Sequence, residues 1–492
     1  MNNSVFKFDN SYADELPGFY EPFPGEKFPS TQLIKINREL AAEIGLDLTQ
    51  LNDDEIAQIF SGSETPEGAK PLAQVYAGHQ FGGFSPQLGD GRALLLGEII
   101  DIYGARRDIH LKGSGRTSYS RGGDGKAALA PVLREYIMGE AMFALKVPTT
   151  RALAAVTTGE KVMRESGMLP GAVLARVASS HIRVGTFQYF AARQELEKVK
   201  QLADYTIKRH FPQLSEGKNP YLGLLCAVRD RQALLIAQWM HLGFIHGVMN
   251  TDNMTICGET IDYGPCAFMD EYDPLTVFSS IDTQGRYAYS NQPPIAQWNL
   301  SRFAEALLPL IHEDTDEAVR LATEEINAFT AIYQQHWLDG MCKKLGLSTK
   351  EENDLALVNE ILQAMEGQDV DFTQFFRALS SALETNTNNI QDMFDDLEKI
   401  NQWLTHWKER LSRDPMTLEK RIISMNQVNP IYIPRNHKVE EALRAAETEN
   451  DYTLFEKLMT VLASPFEEGE GLDAYAVPAP SDFPPYRTFC GT

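Results

Sequence analysis

Cysteine is scarce in this sequence, and positive charge is in deficit. Among 492 residues there are five cysteines, without a Cys-x-x-Cys pair or a metal-ligand spacing. This pattern argues against a disulfide framework and is typical of a reducing compartment. Lys and Arg number 45 against 68 Asp and Glu, so the formal net charge is −23. Such a surplus of negative charge opposes general binding to nucleic acid or to an anionic membrane surface.

Long apolar runs are missing too. The longest one, residues 233–249, is interrupted by Gln238, His241 and His246, and it is too polar to span a membrane. No basic stretch followed by an apolar stretch is found near residue 1, so no signal peptide is expected. These features, together with a hydrophobic content of 43%, predict a globular cytoplasmic protein with two or more packed lobes.

Strand patterns give way to helical patterns along the chain. Residues 93–100 and 107–112 predict paired strands, and residues 128–145 have the apolar spacing of a helix. Residues 254–262 alternate apolar and polar side chains, which predicts a hairpin. Helical patterns are also found at 32–44, 230–243, 299–311, 315–336, 352–365 and 372–384. This order predicts an α+β, protein-kinase-like bilobal fold with a strand-rich N-lobe and a helix-rich C-lobe.

Residues 246–253 have the spacing of a kinase catalytic loop, His-x-Asp-x-x-x-x-Asn, but Val248 replaces the catalytic Asp. Asn253, at the metal-binding position, is kept, and Asp262 begins an Asp-Tyr-Gly motif that resembles Asp-Phe-Gly. Their hard oxygen atoms predict a Mg²⁺ site. Asp252 is the only carboxylate in the loop, and two roles fit it, a displaced general base or a residue that orients the loop. Phosphorylation of a hydroxyl by the usual route is not expected.

Glycine and basic residues before the loop predict phosphate contacts. Residues 89–92, Gly-Asp-Gly-Arg, precede an apolar strand and fit either an anion-binding nest or an ordinary hairpin turn. Lys112 matches the strand lysine of kinases, with Glu135 as its natural partner and Glu140 as the second choice.

A charged loop and three arginines are the remaining candidates. The loop at residues 121–126 contains Asp124 and Gly125, and it fits a nucleotide contact or a linker. Arg164, Arg176 and Arg183 need anionic partners if they point inward, either protein carboxylates or phosphate.

The motifs together closely resemble the selenoprotein O (YdiU) family over essentially the whole chain. The motifs that carry the resemblance are residues 76–82 (Tyr-Ala-Gly-His-Gln-Phe-Gly), 87–92, 111–115, 246–253, 285–289 (Gly-Arg-Tyr-Ala-Tyr) and 429–437. The resemblance implies a kinase-like fold that binds ATP in a flipped orientation and transfers AMP to Ser, Thr or Tyr hydroxyls of proteins, with release of pyrophosphate. It divides the chain into an N-terminal extension (1–70), an N-lobe with the phosphate-binding elements (71–225), a C-lobe with the catalytic loop and metal site (226–460) and a C-terminal strap (461–492).

The resemblance also assigns roles to individual residues. Asp252 would be the proton acceptor, Lys112 would pair with Glu135, and Asn253 and Asp262 would bind Mg²⁺, with Mn²⁺ as an alternative. The nucleotide contacts would be Gly89, Gly91, Arg92, Lys112, Asp124, Gly125, Arg176, Arg183 and Asp262. Redox control through a Cys266–Cys490 bridge is a further hypothesis that the family suggests.

Three rival functions stay open on the sequence. An atypical kinase would use Asp252 as its base and release ADP, and a non-catalytic pseudokinase would bind nucleotide without turnover. Nucleotidyl transfer from UTP with Mn²⁺ is the third, because no residue that reads the base is evident. The identity of the protein substrates and the oligomeric state are not legible in the sequence.

Overall fold

The computed structural model describes residues 5–488 of the chain. The strands are β1 (Tyr20–Pro22), β2 (Gln32–Ile36), β3 (Leu72–Gln74), β4 (Gly78–Gln80), β5 (Gly83–Ser85), β6 (Ala93–Ile100), β7 (Arg106–Lys112), β8 (Ala127–Ala128), β9 (Arg151–Arg164), β10 (Gly167–Ala178), β11 (Phe244–Ile245) and β12 (Ala267–Phe268). The helices are α1 (Ser11–Glu15), α2 (Arg38–Glu43), α3 (Asp53–Ser61), α4 (Leu129–Ala144), α5 (Val184–Ala191), α6 (Leu196–His210), α7 (Pro220–Leu242), α8 (Gln292–Ile311), α9 (Thr315–Lys344), α10 (Asp354–Met365), α11 (Phe372–Ala382), α12 (Asn388–Gln391), α13 (Leu397–Arg413), α14 (Leu418–Asn426), α15 (Asn436–Glu449), α16 (Thr453–Leu462) and α17 (Asp473–Ala476). Short 3-10 helices lie at Leu48–Gln50, Pro212–Glu216, Thr251–Asn253 and Tyr289–Asn291.

The N-terminal part of the molecule is built on an antiparallel sheet. Its strand order is β1-β3-β6-β7-β10-β9-β2, and β8 pairs with β10 beside this path. The predicted strand pair is confirmed, because β6 and β7 pair from Ala93 opposite Lys112 to Ile100 opposite Arg106. Lys112 therefore lies at the end of a central strand.

Both faces of the sheet are buried, which explains the nearly continuous apolar sequence of β6. Leu94 and Leu96 belong to the core that α2 and α3 complete, whereas Leu95 belongs to the larger core that includes α4. Alternate side chains of a strand point to opposite faces, so the two cores lie on the two sides of the sheet. The helix predicted at residues 128–145 is confirmed as α4.

The C-terminal part of the molecule is rich in helices. The helices predicted from 230–243 onward are confirmed as α7, α8, α9, α10 and α11, several of them longer than predicted. Asn219 caps α7 by accepting a hydrogen bond from the Leu222 amide, and β11 follows the end of this helix and leads into residues 246–253. Among the described residues, none of the helices is both long and apolar enough to cross a membrane.

Two local predictions are wrong. Residues 254–262 do not form a hairpin, because Thr255 bridges Arg183 and Thr260 bridges Thr149, so each edge pairs with a distant segment. Residues 32–44 form strand β2 and then the short helix α2, since residues 32–36 add to the edge of the sheet beside β9. The mixed fold, with the sheet before the helical part, is as predicted, and the division at residues 70, 225 and 460 stays a prediction.

Candidate active site

One cleft contains the residues singled out from the sequence. It has a volume of about 1510 Å³, and strands of the sheet, the loop at residues 246–253 and the C-terminal segment contribute to its walls. The predicted site residues that line it are Gly89, Gly91, Arg92, Lys112, Asp124, Gly125, Glu135, Arg164, Arg176, Arg183, Asp252, Asn253 and Asp262. Glu140, the second choice to pair with Lys112, does not line the cleft.

Asp262 is the centre of the charged part of the cleft. Its Oδ1 accepts hydrogen bonds from Lys112 Nζ and Arg176 Nη1, both at 2.8 Å, and its Oδ2 accepts one from Arg183 Nη1 at 3.0 Å. Burial alone would raise the pKa of Asp262, but the positive charges of Arg176, Lys112 and Arg183 outweigh burial and hold it well below the ordinary value. Asp262 is therefore ionised at neutral pH.

Glu135 is the second carboxylate of this cluster. Its Oε2 lies 2.6 Å from Lys112 Nζ, and its Oε1 lies 2.8 Å from Arg176 Nη1. Glu140 instead accepts two hydrogen bonds from Arg151, at 2.9 and 2.8 Å. The cluster thus holds three cations, Lys112, Arg176 and Arg183, and three carboxylates, because Asp90 Oδ1 also lies 3.8 Å from Arg183 Nη2.

The segment 89–92 lies at the same wall of the cleft. Gly89 and Gly91 pack against Tyr119, because a β-carbon at either position would approach the Tyr119 ring or carbonyl oxygen to 2.6 or 2.8 Å. These glycines are thus required by close packing, whether or not a phosphate binds. Arg92 lines the cleft and forms no ion pair with a described residue, so its charge is available to a ligand.

The loop at residues 121–126 closes another side of the cleft. Asp124 accepts a hydrogen bond from Arg164 Nη1 at 2.8 Å and another from the Lys126 amide at 3.0 Å. Arg164 therefore has a protein carboxylate as its partner. Gly125 follows at a positive φ of 71° and also lines the cleft.

The loop at residues 246–253 is held by buried contacts. The His246 ring is stacked on Trp239, and its Nε2 lies 2.9 Å from the carbonyl oxygen of Ile261. Since a carbonyl only accepts, His246 Nε2 carries a proton and donates it. This hydrogen bond ties the start of the loop to the residue before Asp262.

Asp252 is almost fully buried, with 7% of its surface exposed. Its Oδ2 accepts a hydrogen bond from Gln80 Nε2 at 3.1 Å, while its Oδ1 has no hydrogen-bond partner among residues 5–488. Burial raises the pKa of Asp252 to about 6, although the hydrogen bond from Gln80 lowers it. Asp252 and Asp262 therefore have opposite shifts in pKa within one cleft.

The oxygens of Asn253 and Asp262 fit a hard divalent cation. Asn253 donates its side-chain amide to the Val248 carbonyl at 3.0 Å, which leaves its Oδ1 for another contact. No cluster of three or more His, Cys, Asp or Glu ligands occurs in the described part of the chain. Two protein oxygens are nevertheless a usual contribution to Mg²⁺, which keeps water and phosphate as its other ligands.

His110 is a member of this site that the sequence reasoning missed. Arg176 Nε donates to His110 Nδ1 at 3.3 Å, and His110 Nε2 lies 3.2 Å from Asp90 Oδ2. Burial lowers the pKa of His110, so the ring is neutral and relays a hydrogen bond from Arg176 to Asp90. His110 lies two residues before Lys112 in the same strand, so both side chains point to the same face of the sheet. This spacing was the available signal.

The hairpin β4–β5 was also missed as part of the site. It overlaps the motif at residues 76–82, which carries the family resemblance and to which the sequence assigns no role. The hairpin contributes Gln80 to Asp252, and it lies beside Tyr287 of the second unassigned motif, whose hydroxyl donates to Asn250 Oδ1 at 2.6 Å. The motifs at residues 76–82 and 285–289, to which the sequence assigns no role, therefore meet at the loop of residues 246–253.

The chain is similar to known proteins over nearly its whole length. Residues 3–463 match the family model described as "Protein adenylyltransferase SelO". The chain belongs to the SelO family. Proteins described as "Protein nucleotidyltransferase YdiU" from Rhizobium johnstonii and Cereibacter sphaeroides are each 57% identical to it, and one from Rhizobium meliloti is 56% identical. The alignments cover 99% of this chain and 98%, 100% and 100% of these relatives.

Membership of the SelO family confirms the expected class of enzyme, a protein nucleotidyltransferase. The full-length coverage means that the cleft belongs to the part of the chain that the family shares. The roles of single residues within the cleft are not established by the match and stay predictions.

The C-terminal segment of this SelO chain lies over the cleft. Thr488 donates its amide to the Phe278 carbonyl and its hydroxyl to the Pro265 carbonyl, each at 2.8 Å. Cys266 is fully buried, and burial raises its pKa to about 12. Cys490, the other half of the hypothesised bridge, lies outside the described residues, so that bridge stays a hypothesis.

Proposed function

We propose that this enzyme transfers AMP from ATP to Ser, Thr or Tyr hydroxyls of proteins and releases pyrophosphate. Within that proposal the N-terminal sheet and the helical part form a kinase-like pair of lobes, and ATP binds in the flipped orientation. The family match supports nucleotide transfer to protein. The geometry of the cleft supports the binding of ATP and the transfer of AMP.

The observation that carries the proposal is the convergence of Lys112, Arg176 and Arg183 on Asp262. A kinase-like site needs the lysine, and here two further buried arginines converge on the same aspartate. A triphosphate would be held by these arginines, because guanidinium groups bind phosphate oxygens in a forked geometry. With Arg92 they form a surface suited to pyrophosphate as the leaving group.

The proposed reaction is a displacement at the α-phosphorus. The acceptor hydroxyl oxygen attacks the α-phosphorus, the bond to the oxygen that bridges the α- and β-phosphorus breaks, and pyrophosphate leaves with that oxygen. The hydroxyl proton passes to Asp252, whose pKa of about 6 leaves it deprotonated at neutral pH yet basic enough to act as general base. Lys112, Arg176 and Arg183 stabilise the negative charge that develops on the leaving group.

Asn253 and Asp262 would hold Mg²⁺, or Mn²⁺, beside the phosphates. When bound, the ion would polarise phosphoryl oxygens and neutralise charge on the transferring group. Asp262 is suited to this role because the surrounding cations keep it ionised.

The decisive experiment is incubation of the full chain with Mg²⁺ and a protein mixture, using α-³²P-ATP and γ-³²P-ATP in parallel. Label from the α-phosphate only, with the mass of AMP added to the acceptor, is the expected result. Label from the γ-phosphate would make the protein an atypical kinase and overturn the role of the arginines.

Two further outcomes address the other rivals. Transfer that occurs faster from α-³²P-UTP with Mn²⁺ would change the donor but not the class of reaction. Nucleotide binding without label from any donor would indicate a non-catalytic pseudokinase. Calorimetric titration with ATP separates this outcome from a protein that does not bind nucleotide.

A further inference from the structure

The hairpin β4–β5 is fixed rigidly to the catalytic loop. The His79 amide donates to Thr251 Oγ1 at 2.7 Å, and the Phe81 amide donates to Asn250 Oδ1 at 3.2 Å. These backbone contacts join segments that are far apart in the sequence. They place the tip of the hairpin directly beside Asp252.

The hairpin also sets the position of the Asp252 carboxylate. Gln80 holds Oδ2, and Gly78 packs so closely that a β-carbon there would come within 2.2 Å of Oδ1. Only glycine at residue 78 permits this approach. Asp252 is thus confined on the hairpin side, and its Oδ1 is a buried acceptor for which residues 5–488 provide no donor.

Exposed apolar side chains lie on the hairpin and in the cleft. Phe81 is 37% exposed, Phe84 is 41% exposed and Ile281 is 56% exposed. Phe81 and Ile281 line the same cleft as Asp252. Exposed apolar surface next to a reactive group is typical of a binding site, because it gains free energy only when a ligand covers it.

Arg286 adds a positive charge to this surface. Its guanidinium lies over the Trp298 ring at 4.8 Å from the centroid, and it packs against Gly82 at the tip of the hairpin. It forms no ion pair with any residue from 5 to 488, and its buried Nε has no hydrogen-bond partner there. In a chain with a net charge of −23, an unpaired arginine beside the cleft favours an acidic ligand.

We propose that this surface, formed by Phe81, Phe84, Ile281 and Arg286, binds the acceptor segment of the protein substrate. The segment presents its hydroxyl side chain to Asp252, places an apolar neighbour against Phe81 and Ile281, and places an acidic neighbour against Arg286. This inference rests on the proposed function and deepens it, since it specifies the sequence that surrounds the modified residue.

The test uses the full chain, α-³²P-ATP with Mg²⁺, and synthetic peptides that contain one Tyr, Ser or Thr. One set has apolar and acidic flanking residues, a second has Ala at those positions, and a third has apolar and Lys residues. We expect the first set to be labelled about tenfold more efficiently than the second, because the burial of one apolar side chain or the pairing of one charge is enough for a difference of about that size. The third set should be labelled least.

Three variants relate this preference to named residues. Phe81→Ala and Ile281→Ala should each raise the KM for the apolar-acidic peptides about threefold to tenfold, with the KM for ATP unchanged. Arg286→Glu should reverse the preference, so that the Lys-containing set is labelled better than the acidic set. The control is Leu418→Ala, which removes an equally exposed apolar side chain of α14 outside the cleft.

The outcomes separate this inference from the proposed function. If the wild-type protein transfers AMP but does not distinguish the peptide sets, the docking surface is wrong and the function stands. If it binds ATP yet transfers AMP to no peptide or protein, both are wrong. Variants that change the KM for ATP as much as the KM for peptide would also overturn the inference. Thermal melting shows whether Phe81→Ala folds. If it does not, Arg286→Glu still tests the inference.

Discussion

Two aspartates in one cleft show how differently the two ends of this site are built. Asp262, at the phosphate end, contacts Lys112, Arg176 and Arg183, and its pKa is held well below the ordinary value. Asp252, at the proposed acceptor end, is the more enclosed of the two but has a hydrogen bond from neutral Gln80, and burial raises its pKa to about 6.

The difference teaches that burial alone does not decide the charge state of a carboxylate. The number of nearby cations decides it, because each ion pair offsets part of the loss of hydration. The cations around Asp262 favour an anionic ligand at that end, whereas the raised pKa of Asp252 suits a group that accepts a proton. Changes at the two ends should therefore have different kinetic signatures.

Asp262→Asn should give the largest effect. The variant loses a proposed metal ligand and leaves Lys112, Arg176 and Arg183 with only Glu135 and Asp90 among the described carboxylates, so we expect the rate of AMP transfer to fall about a thousandfold or more. The measurement is the initial rate with α-³²P-ATP, and Asp54→Asn, an exposed change on α3, is the matched control. A rate within a few-fold of wild type would remove Asp262 from the reaction.

Asp252→Asn should lower kcat about a hundredfold to a thousandfold and leave the KM for ATP nearly unchanged, as expected for loss of a general base. The wild-type rate should rise with pH through about 6 and then level off, because Asp252 must be deprotonated to accept the proton. This acidic limb should be absent in the variant. If the limb persists there, another group is responsible for it.

The same substitution should stabilise the fold at high pH. The pKa of Asp252 is about 6 in the folded protein and about 4 in the unfolded chain, so the folded state binds the proton more tightly. Stability of the wild type therefore falls as pH rises from about 4 to 6. We expect Asp252→Asn to exceed wild type by up to about 3 kcal/mol in free energy of unfolding at pH 8 and to match it at pH 4.

Urea unfolding at the two pH values tests this expectation. An equal difference between variant and wild type at pH 4 and pH 8 would contradict the raised pKa. It would assign the change in stability to packing alone.

Gln80→Leu should give the smallest effect. Loss of the hydrogen bond to Oδ2 should raise the pKa of Asp252 further, so the acidic limb of the rate profile should move up by about one pH unit. Gln87→Leu, an exposed change in the neighbouring segment, should leave the profile in place. A uniform loss of rate without a shift in the limb would indicate a purely structural role for Gln80.

Local patterns in the sequence predicted much of this molecule. The strand pair at β6 and β7, the helix α4 and the long helices from α7 to α11 follow from periodicities that act over a few residues. The spacing of residues 246–253 predicts a catalytic loop, which stays a prediction. The contact between Lys112 and Glu135 was predictable, because one ends a strand and the other lies on the helix that follows, and the structure confirms it.

Long-range pairing was not predictable in the same way. The alternation at residues 254–262 indicated a hairpin, but Thr255 and Thr260 pair with Arg183 and Thr149. The motif containing Gln80 was visible in the sequence, yet nothing local shows that it reaches Asp252. Such pairs depend on how the sheet and the helical part pack together, and a pattern confined to one element cannot carry that information.

The sequence by itself determined the chemical groups available: the loop without its kinase Asp, the oxygens of Asn253 and Asp262 that we propose bind the metal ion, and the basic residues before them. Only the tertiary structure decided how these groups are charged and directed. It brings three cations to Asp262 and an amide to Asp252, and the pKa of a buried group depends on the neighbours that folding places around it.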